Sequence, residues 1–330
     1  MHKTCQNRIY RLYLYLCSKV YRMKSILKFI KDWTLPLAMI TGAVFYKFFD
    51  LLSPSTPYLI FCMLLLTFSK LSPRKVRLSP LHLWLVCIQI VGSIALYFAL
   101  FKYNTILAES ALICVLAPTA TSAAVVTGML GGSIASLTTY TLVSNLMVAI
   151  VAPILFSLIG THSDLIFMDS FLQICRKIGP LLILPLILAW GMQKFTPKTH
   201  KKLMNIHGLS FYIWALALMI VTGRTVSFLF KQENPDVGAE LLIAFAGLVI
   251  CCLQFLIGRK IGKKYKKTIA GGQGLMQKNT ILAIWMAQVF LNPVSSIGPA
   301  SYVLWQNTIN SWQLWKRRKK LAAEKLKNQK

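Results

Sequence analysis

The chain has 330 residues, 56% of them hydrophobic, and a mean hydropathy of +0.59. Apolar runs of about twenty residues recur from end to end, and each is long enough to cross a hydrocarbon core about 30 Å thick. This pattern predicts a polytopic α-helical membrane protein in a lipid bilayer and argues against a large soluble one. The net charge of +28 does not indicate a nucleic-acid partner, because the basic residues cluster in the short segments between the apolar runs.

The first 32 residues form a basic segment that we expect to lie in the cytoplasm. Two interpretations of its start remain open. Residues 1–22 could fold as an interfacial helix, or translation could begin at Met23, because MKSILKFIKDW is an ordinary opening for a first membrane span. No small-residue cleavage site follows a short apolar region, so we expect no cleavable signal peptide.

Ten membrane-spanning segments are predicted from the apolar runs. The fourth is interrupted by the polar stretch APTATSAA at 117–124, and the ninth by GGQGLMQKNT at 271–280. Irregular backbone at membrane depth is tolerated only where protein or a water-filled cavity surrounds it, so both interruptions indicate a binding site. The predicted spans are 33–49, 57–69, 81–101, 105–130, 133–158, 178–192, 209–230, 239–257, 268–291 and 294–315.

The charge distribution predicts the orientation of these spans. Five alternate segments carry 30 of the 37 Lys and Arg residues, namely the N-terminus, 70–77, 194–202, 259–267 and the C-terminus. The connections on the other side are short and acidic, with Asp50, Asp164, Asp169, Glu233 and Asp236. By the positive-inside rule, both termini are expected in the cytoplasm, with the protein in the cell membrane and its basic segments facing anionic lipid.

An internal repeat supports the count of ten. The first span contains the motif LPL at 35–37 followed by Gly42, and the sixth contains LPL at 184–186 followed by Gly191 at the same offset. Each half has five spans with an interrupted fourth one, and an odd number inverts the second copy relative to the first. The predicted parts are a first repeat at 33–158, an outer loop with an amphipathic lead-in at 159–177, a second, inverted repeat at 178–315 and a basic cytoplasmic tail at 316–330.

The fourth-span interruption contains Pro118, Thr119, Thr121 and Ser122. Proline removes a backbone donor and clashes with the preceding turn. The carbonyl and hydroxyl oxygens that this exposes are candidates to coordinate a cation or a polar substrate. The alternative is a proline kink repaired by Ser and Thr side chains.

The neighbouring spans contribute further polar candidates. Thr138, Thr141 and Asn145 follow i, i+3, i+7 spacing on the fifth span, and the third span holds a lone amide, Gln89. A polar stripe on an apolar helix must face protein or water. It could form a second wall of the same site or bind a neighbouring helix.

The ninth-span interruption holds Gln273, Gln277, Lys278 and Asn279. Lys278 is the most informative of these, because a buried cation costs several kcal/mol without a partner or water. Three other ionisable residues lie near span ends, and we expect them close to the membrane surface: Lys47, Glu109 and Arg224.

The two interruptions resemble motifs of the bile acid:sodium symporter family. PTATSAAVVTGMLGG is similar to the family's PGGT-x-SN-x-x-T pattern, and MQKNTILA to its E-x-x-MQN-[ST]-x-LA pattern. The resemblance runs from about Trp33 to Trp315. It implies ten helices in two inverted repeats, a core domain with crossed, discontinuous helices 4 and 9, and a panel domain of helices 1, 2, 6 and 7. It also implies transport of an organic anion, often driven by sodium.

The residues that the resemblance assigns to sodium are only partly kept. The Ser-Asn pair of the family aligns with Ala123 and Ala124, and one fifth-helix ligand with Leu137. If MQ is matched to Met276-Gln277, the family's glutamate aligns with Gln273 and its MQN glutamine with Gln277. If NTILA is matched without a gap, Lys278 takes the place of that glutamine instead. The implied sodium ligands that remain are Gln89, Thr141, Gln273 and Gln277.

We therefore expect a secondary transporter that moves a small organic anion (bile-acid-like, carboxylate or sulfonate) by alternating access. The hypothesis is that the Lys278 ammonium occupies space near a former sodium site and supports the anion directly, with sodium coupling weakened or replaced, even by protons. The alternative is a non-coupled channel or membrane receptor with the same fold.

We expect no enzyme activity, no cofactor beyond a possible coupling Na⁺, and no obligate protein partner. The five histidines are scattered (2, 82, 162, 200 and 207), and acids within the spans that could act as a base are nearly absent. Most of the eight cysteines lie inside apolar runs without paired spacing. This spacing is not that of a disulfide framework or a metal site.

Overall fold

The structure is a computed structural model, and it describes residues 34–71, 76–120, 122–159, 167–205, 209–232 and 235–328. The basic segment at 1–32, with both interpretations of its start, lies outside these residues. So do Thr121 and most of the loop that follows the fifth predicted span.

The described residues are almost entirely helical. They form fourteen α-helices and two 3₁₀ turns, Ser53–Ser55 and Pro293–Ser296. The helices are α1 (Thr34–Val44), α2 (Tyr46–Leu51), α3 (Thr56–Phe68), α4 (Pro80–Phe101), α5 (Thr105–Leu116), α6 (Ser122–Met129), α7 (Ile134–Ile159), α8 (Phe167–Phe195), α9 (Pro197–Asn205), α10 (Leu209–Phe230), α11 (Val237–Lys264), α12 (Thr268–Met276), α13 (Thr280–Phe290) and α14 (Ile297–Asn328).

Five of these helices are long and apolar enough to cross a membrane: α4, α7, α8, α11 and residues Tyr212–Phe230 of α10. Shorter apolar helical stretches include Ser53–Phe68, α5 and α13. The chain is therefore an all-α, membrane-embedded protein, and ten spans in two inverted repeats remain a prediction.

Three predicted elements differ from the observed ones. The sixth span and its lead-in form one continuous helix, α8, which includes Pro180 and Pro185. The first span is divided at Phe45 into α1 and α2. The two interruptions are shorter than predicted, because helix resumes at Ser122 and continues through Met276.

The glycines of the ninth span are helical for a packing reason. A Cβ added to Gly271 would collide with the carbonyl oxygen of Gly258 and come within 2.8 Å of the Gly262 Cα atom, both on α11. Glycine is required there so that two helix backbones can approach closely. The interpretation of 271–276 as unwound backbone was wrong, and the break is confined to 277–279.

Contacts between chain segments define two ends of the helix bundle. At one end, which we call the basic end, His200 Nε2 lies 2.8 Å from the Ser69 carbonyl oxygen, and the Arg77 N–H donates to Thr139 Oγ1. The connection at 194–202 contains His200, and Ile269 of α12 and Arg317 of α14 lie beside Gly132 and Gly131, so the connection at 259–267 and the exit of α14 also lie at this end. At the opposite end, Lys231 Nζ lies 3.0 Å from Asp50 Oδ2.

The helices pack in two groups. In the first, α10 packs against α1, α2 and α3, and α3 packs against α8. In the second, α5 packs against α4 and α11, and α11 packs against α12 and α14. The second group also includes α7, which contacts α12, and α13, which contacts α14. The groups meet where α10 and α3 contact α13 and where α7 contacts α8. The largest buried apolar cluster fills this junction, with Leu64, Leu218 and Ile284 among its members.

Candidate functional site at the crossing of two interrupted helices

The two interruptions cross and pair through their backbones. The Ala120 N–H donates to the Gln277 carbonyl oxygen at 2.8 Å, and the Asn279 N–H donates to the Pro118 carbonyl oxygen at 2.7 Å. Thr119 and Lys278 thus form an isolated antiparallel β-bridge. Two segments that lack helical hydrogen bonds satisfy each other at the centre of the second helix group.

Long polar side chains satisfy the carbonyl groups at the end of α5. Gln89 Nε2 donates to the carbonyl oxygens of Leu116 at 2.7 Å and Ala117 at 3.1 Å. Lys278 Nζ donates to the Val115 carbonyl oxygen at 2.7 Å. A helix C-terminus exposes unpaired carbonyls and carries a partial negative charge, so an ammonium group is favoured there.

The end of α12 is satisfied in a comparable way. Thr119 Oγ1 donates to the Gly274 carbonyl oxygen at 2.7 Å, and the Tyr302 hydroxyl donates to the Met276 carbonyl oxygen at 2.8 Å. Each interruption therefore donates a side-chain hydrogen bond to the half-helix that ends at the other one, Thr119 to α12 and Lys278 to α5. Tyr302 of the neighbouring span adds a further bond to the end of α12.

Matching residues of α7 and α14 support the two sides of the bridge. The Thr119 N–H donates to Ser144 Oγ at 3.2 Å, and the Lys278 N–H donates to Gln306 Oε1 at 2.9 Å. One turn earlier on each helix lies a buried tyrosine, Tyr140 or Tyr302. Ser144 and Gln306 are 162 positions apart, and so are the two tyrosines.

Each of these tyrosines binds a glutamine. The Tyr140 hydroxyl donates to Gln89 Oε1 at 2.8 Å, and Gln254 Nε2 donates to the Tyr302 hydroxyl at 3.1 Å. The sequence pattern does not single out Tyr140, Gln254, Tyr302 or Gln306. The signal that could have found them is the pairing of tyrosine with a polar residue four positions later in both α7 and α14.

Lys278 is a cation buried within the protein. Its side chain is 1% exposed, and its Nζ donates to the Val115 carbonyl oxygen. Within the described ranges, the ion pairs join Lys231 to Asp50 and Lys320 to Glu324, so no described carboxylate neutralises Lys278. A buried ammonium with a carbonyl but no counter-ion carries a large desolvation cost.

Gln89, a predicted sodium ligand, is already engaged at both ends. Its amide nitrogen binds the end of α5, and its oxygen accepts from Tyr140 and from Ser144 Oγ at 2.9 Å. An amide oxygen has two lone pairs, and two donors occupy them here. In this structure the Gln89 side chain therefore links α4, α5 and α7 at the crossing and has no free oxygen lone pair for a cation.

Three other predicted ligands have buried oxygen atoms without a hydrogen-bond partner in the described part of the chain: Thr141 Oγ1, Gln273 Oε1 and Gln277 Oε1. The amide nitrogen of Gln273 donates to Asn310 Oδ1, and that of Gln277 to Ser122 Oγ. Buried polar atoms are normally satisfied by protein or water. These oxygens are therefore available to a polar ligand or water.

The remaining candidates take different places. Asn279 Oδ1 accepts from the Leu282 N–H and caps α13, and Asn145 Nδ2 donates to the Thr141 carbonyl oxygen of its own helix. Thr138 is half-buried on α7. Thus the structure brings six of the candidates to the crossing: Gln89, Thr119, Ser122, Gln277, Lys278 and Asn279.

The three other ionisable residues near predicted span ends differ in how far the protein buries them. Lys47 is exposed, and the half-buried Arg224 guanidinium lies 5.3 Å from the centre of the Phe228 ring. Glu109 is instead buried, with Oε2 accepting from the Asn292 N–H at 2.8 Å. Its burial arises because α5 is covered by α4, α11 and the segment after α13, and its depth in the membrane stays a prediction.

Asp50 belongs to an interaction at the end opposite the basic one. Ser227 Oγ donates to Asp50 Oδ2 at 2.7 Å, and Lys231 Nζ does so at 3.0 Å. Burial alone would raise the pKa of Asp50, but these hydrogen bonds and the charges of Lys231 and Arg224 hold it below its ordinary value.

The described ranges contain no group of three or more His, Cys, Asp or Glu residues that could hold a metal ion. Comparison with protein-family models and with curated proteins found no match.

Proposed function

We propose that the chain is a secondary transporter of a small organic anion with the architecture of the bile acid:sodium symporter family. The observation that carries the proposal is Lys278, a buried ammonium at the crossing of two interrupted helices with no carboxylate partner among the described residues. An anionic group on a substrate would supply the missing counter-charge. Broken helices with partial charges at their ends are typical of transporter binding sites.

The proposed architecture is two inverted repeats of five spans. The paired positions Tyr140 and Tyr302, and Ser144 and Gln306, support it, because each pair does a similar task on its own side of the crossing. The order of a long helix, two half-helices and a long helix also occurs twice, as α4–α7 and α11–α14.

Alternating access would arise from movement of one helix group against the other. Glycine-mediated close packing stiffens each group: a Cβ at Gly42 of α1 would lie 2.5 Å from the Met219 carbonyl oxygen of α10, and Gly258 and Gly271 join α11 to α12. Gln288 of α13 crosses the junction, with Nε2 donating to the Val221 carbonyl oxygen at 3.2 Å. We place both termini in the cytoplasm, with the basic end of the bundle inside.

The residues at the crossing favour a positive side chain over sodium, although the buried oxygens of Thr141, Gln273 and Gln277 are unpartnered among the described residues. The Gln89 oxygen is occupied by two donors, the positions aligned with a Ser-Asn pair are alanines, and an ammonium lies against the Val115 carbonyl. A hard cation prefers several oxygen ligands, among them a negative one. We therefore propose that transport does not depend on sodium and that Lys278 supplies the positive charge.

The test is uptake into proteoliposomes of labelled cholate, taurocholate and benzoate, with and without a sodium gradient. Lys278→Ala should reduce uptake by roughly 5- to 70-fold, the net gain when the anion replaces the Val115 carbonyl as the partner of the ammonium. Lys47→Ala removes an exposed lysine and should change uptake less than about twofold. Unchanged uptake by the Lys278 variant would refute the substrate role, and strong sodium-driven uptake would refute sodium independence.

The runner-up function is a non-coupled channel or a receptor with the same fold. The occupied oxygen of Gln89 favours it, since loss of a cation site would remove the coupling mechanism. Counterflow separates the two functions, because only a carrier exchanges external labelled anion for internal unlabelled anion.

A further inference from the structure

Glu109 is a second buried ionisable residue, and the proposed anion site does not use it. It is 5% exposed, and its carboxylate accepts one hydrogen bond, from the Asn292 N–H, within the described residues. Neither ion pair in those residues includes it. A carboxylate held in this way needs a positive charge nearby or a proton to remain in a membrane-embedded core.

The titratable groups around α5 lie at different distances from this carboxyl. Tyr97 of α4 is close enough to interact electrostatically with Glu109. Cys251 of α11 and Tyr302 of α14 lie instead near Cys114, at the other end of the helix. Neither α13 nor the 3₁₀ turn Pro293–Ser296 contains a titratable side chain. Arg224 of α10 faces Phe228 and Asp50.

The helix α5 connects Glu109 to Lys278. The Lys278 ammonium binds the Val115 carbonyl, six residues after Glu109, which is about 9 Å along the helix axis. The ammonium lies at the C-terminal end of α5, where the helix dipole favours a positive charge, and Glu109 lies in the second turn. The half-helix α5 thus contains the buried Glu109 carboxylate and binds the buried Lys278 ammonium.

We propose that Glu109 binds the proton that couples anion transport to the proton gradient. This inference rests on the proposed anion transport. When an organic anion binds Lys278, its negative charge repels the Glu109 carboxylate, which has no ion-pair partner of its own among the described residues. Protonation of Glu109 from water then removes the uncompensated negative charge, forming an O–H bond that breaks again when the proton is released to water on the other side.

Anion and proton binding therefore favour each other. If the charges are separated by roughly the 9 Å rise between residues 109 and 115, an effective dielectric constant of about 20 gives a mutual effect on binding on the order of tenfold. One anion moves with one proton, so transport is electroneutral. Protonation also weakens the charge-assisted hydrogen bond to Asn292, whose side chain caps the turn after α13 through the Val294 N–H.

The first experiment uses Glu109→Gln in proteoliposomes with labelled cholate, taurocholate and benzoate. Glutamine has nearly the same shape and can still accept from Asn292. We expect counterflow exchange within about twofold of wild type, but at least a tenfold loss of accumulation driven by an alkaline interior. Glu240→Gln, the same change at a half-buried position of α11, should preserve both activities.

The outcomes separate this inference from the proposed function. Wild type that exchanges labelled anion but does not accumulate it under a pH gradient, or that responds to a membrane potential instead, would overturn the proton role and leave anion transport standing. Absence of exchange with every probe would overturn the proposed function for these anions.

A second measurement requires no substrate. The infrared carbonyl stretch of protonated carboxyl groups is followed in purified protein as the pH is raised. We expect one component that titrates in wild type and Glu240→Gln and is absent from Glu109→Gln. If Glu109→Gln fails to fold, Glu109→Asp keeps a titrating group and should shift the midpoint of that component. An unchanged spectrum in these Glu109 variants would overturn the inference.

Discussion

Gly271 gives a sharp test of the helix packing beneath the candidate site. In Gly271→Ala, the added Cβ would collide with the Gly258 carbonyl oxygen and lie 2.8 Å from the Gly262 Cα atom and 3.0 Å from its nitrogen. All three are backbone atoms, so no side chain can rotate away and α11 and α12 must separate. Overpacking of this kind costs about 1–3 kcal/mol or more. The alanine recovers at most about 1 kcal/mol of helix propensity.

The matched control is Gly191→Ala in α8. No atom lies within 4 Å of a Cβ placed there, and the residue is also within a helix. It should therefore gain roughly 0.5–1 kcal/mol from propensity alone. Thermal unfolding of the purified protein measures both variants, and we expect a lower midpoint for the first and an equal or higher one for the second. A Gly271 variant as stable as wild type would mean that this stretch is not a closely packed helix.

Two further predictions follow from the hydrogen bonds. Gln89→Leu removes the donor for two buried carbonyls and should cost about 2–5 kcal/mol of unfolding free energy. Its control, Gln232→Leu at a half-buried position near the end of α10, should cost less than about 1 kcal/mol. Equal losses in the two variants would contradict the value for Gln89. Asp50 has a lowered pKa, so its contribution to stability is complete above the unfolded pKa of about 3.9 and is lost as the pH falls through the folded value. Asp50→Asn should therefore lower the unfolding midpoint above about pH 4 and converge with wild type in stronger acid, and Ser227→Ala should show a smaller difference; a constant difference at every pH would contradict this assignment.

The features that depend only on neighbouring residues in the chain could be predicted from the sequence. Pro118 cannot continue a helix, and a polar run such as QKN cannot lie in lipid, so both interruptions were predicted near their true places. The predicted extent of the second break was wrong because a glycine can mark either unwound backbone or close helix packing, and a single sequence does not distinguish the two. Its use here depends on Gly258 and Gly262 of another helix, whose spacing of four residues is itself a packing signal.

The side chains that hold the crossing were harder to predict. Tyr140 and Tyr302 lie in apolar spans, where a tyrosine usually packs in the interior or at the membrane interface. Only the three-dimensional crossing places their hydroxyls beside Gln89 and Gln254. Lys278 was identifiable because a cation inside an apolar span is costly wherever it points. Its partner at Val115 depends on how α5 ends against the second interruption.

The satisfied hydrogen bonds of the crossing bear on how tightly the proposed anion can bind. An anion at Lys278 must replace the bond to the Val115 carbonyl, which is worth about 1.5–3 kcal/mol for a charged donor. The new ion pair supplies about 4 kcal/mol at 4 Å and an effective dielectric constant of 20. The difference, about 1–2.5 kcal/mol, corresponds to roughly 5- to 70-fold in affinity. Such a modest gain suits a carrier, because a site that releases its substrate on the far side cannot hold it strongly. A blocking inhibitor should therefore gain affinity mainly from groups that contact the unpartnered oxygens of Thr141, Gln273 and Gln277.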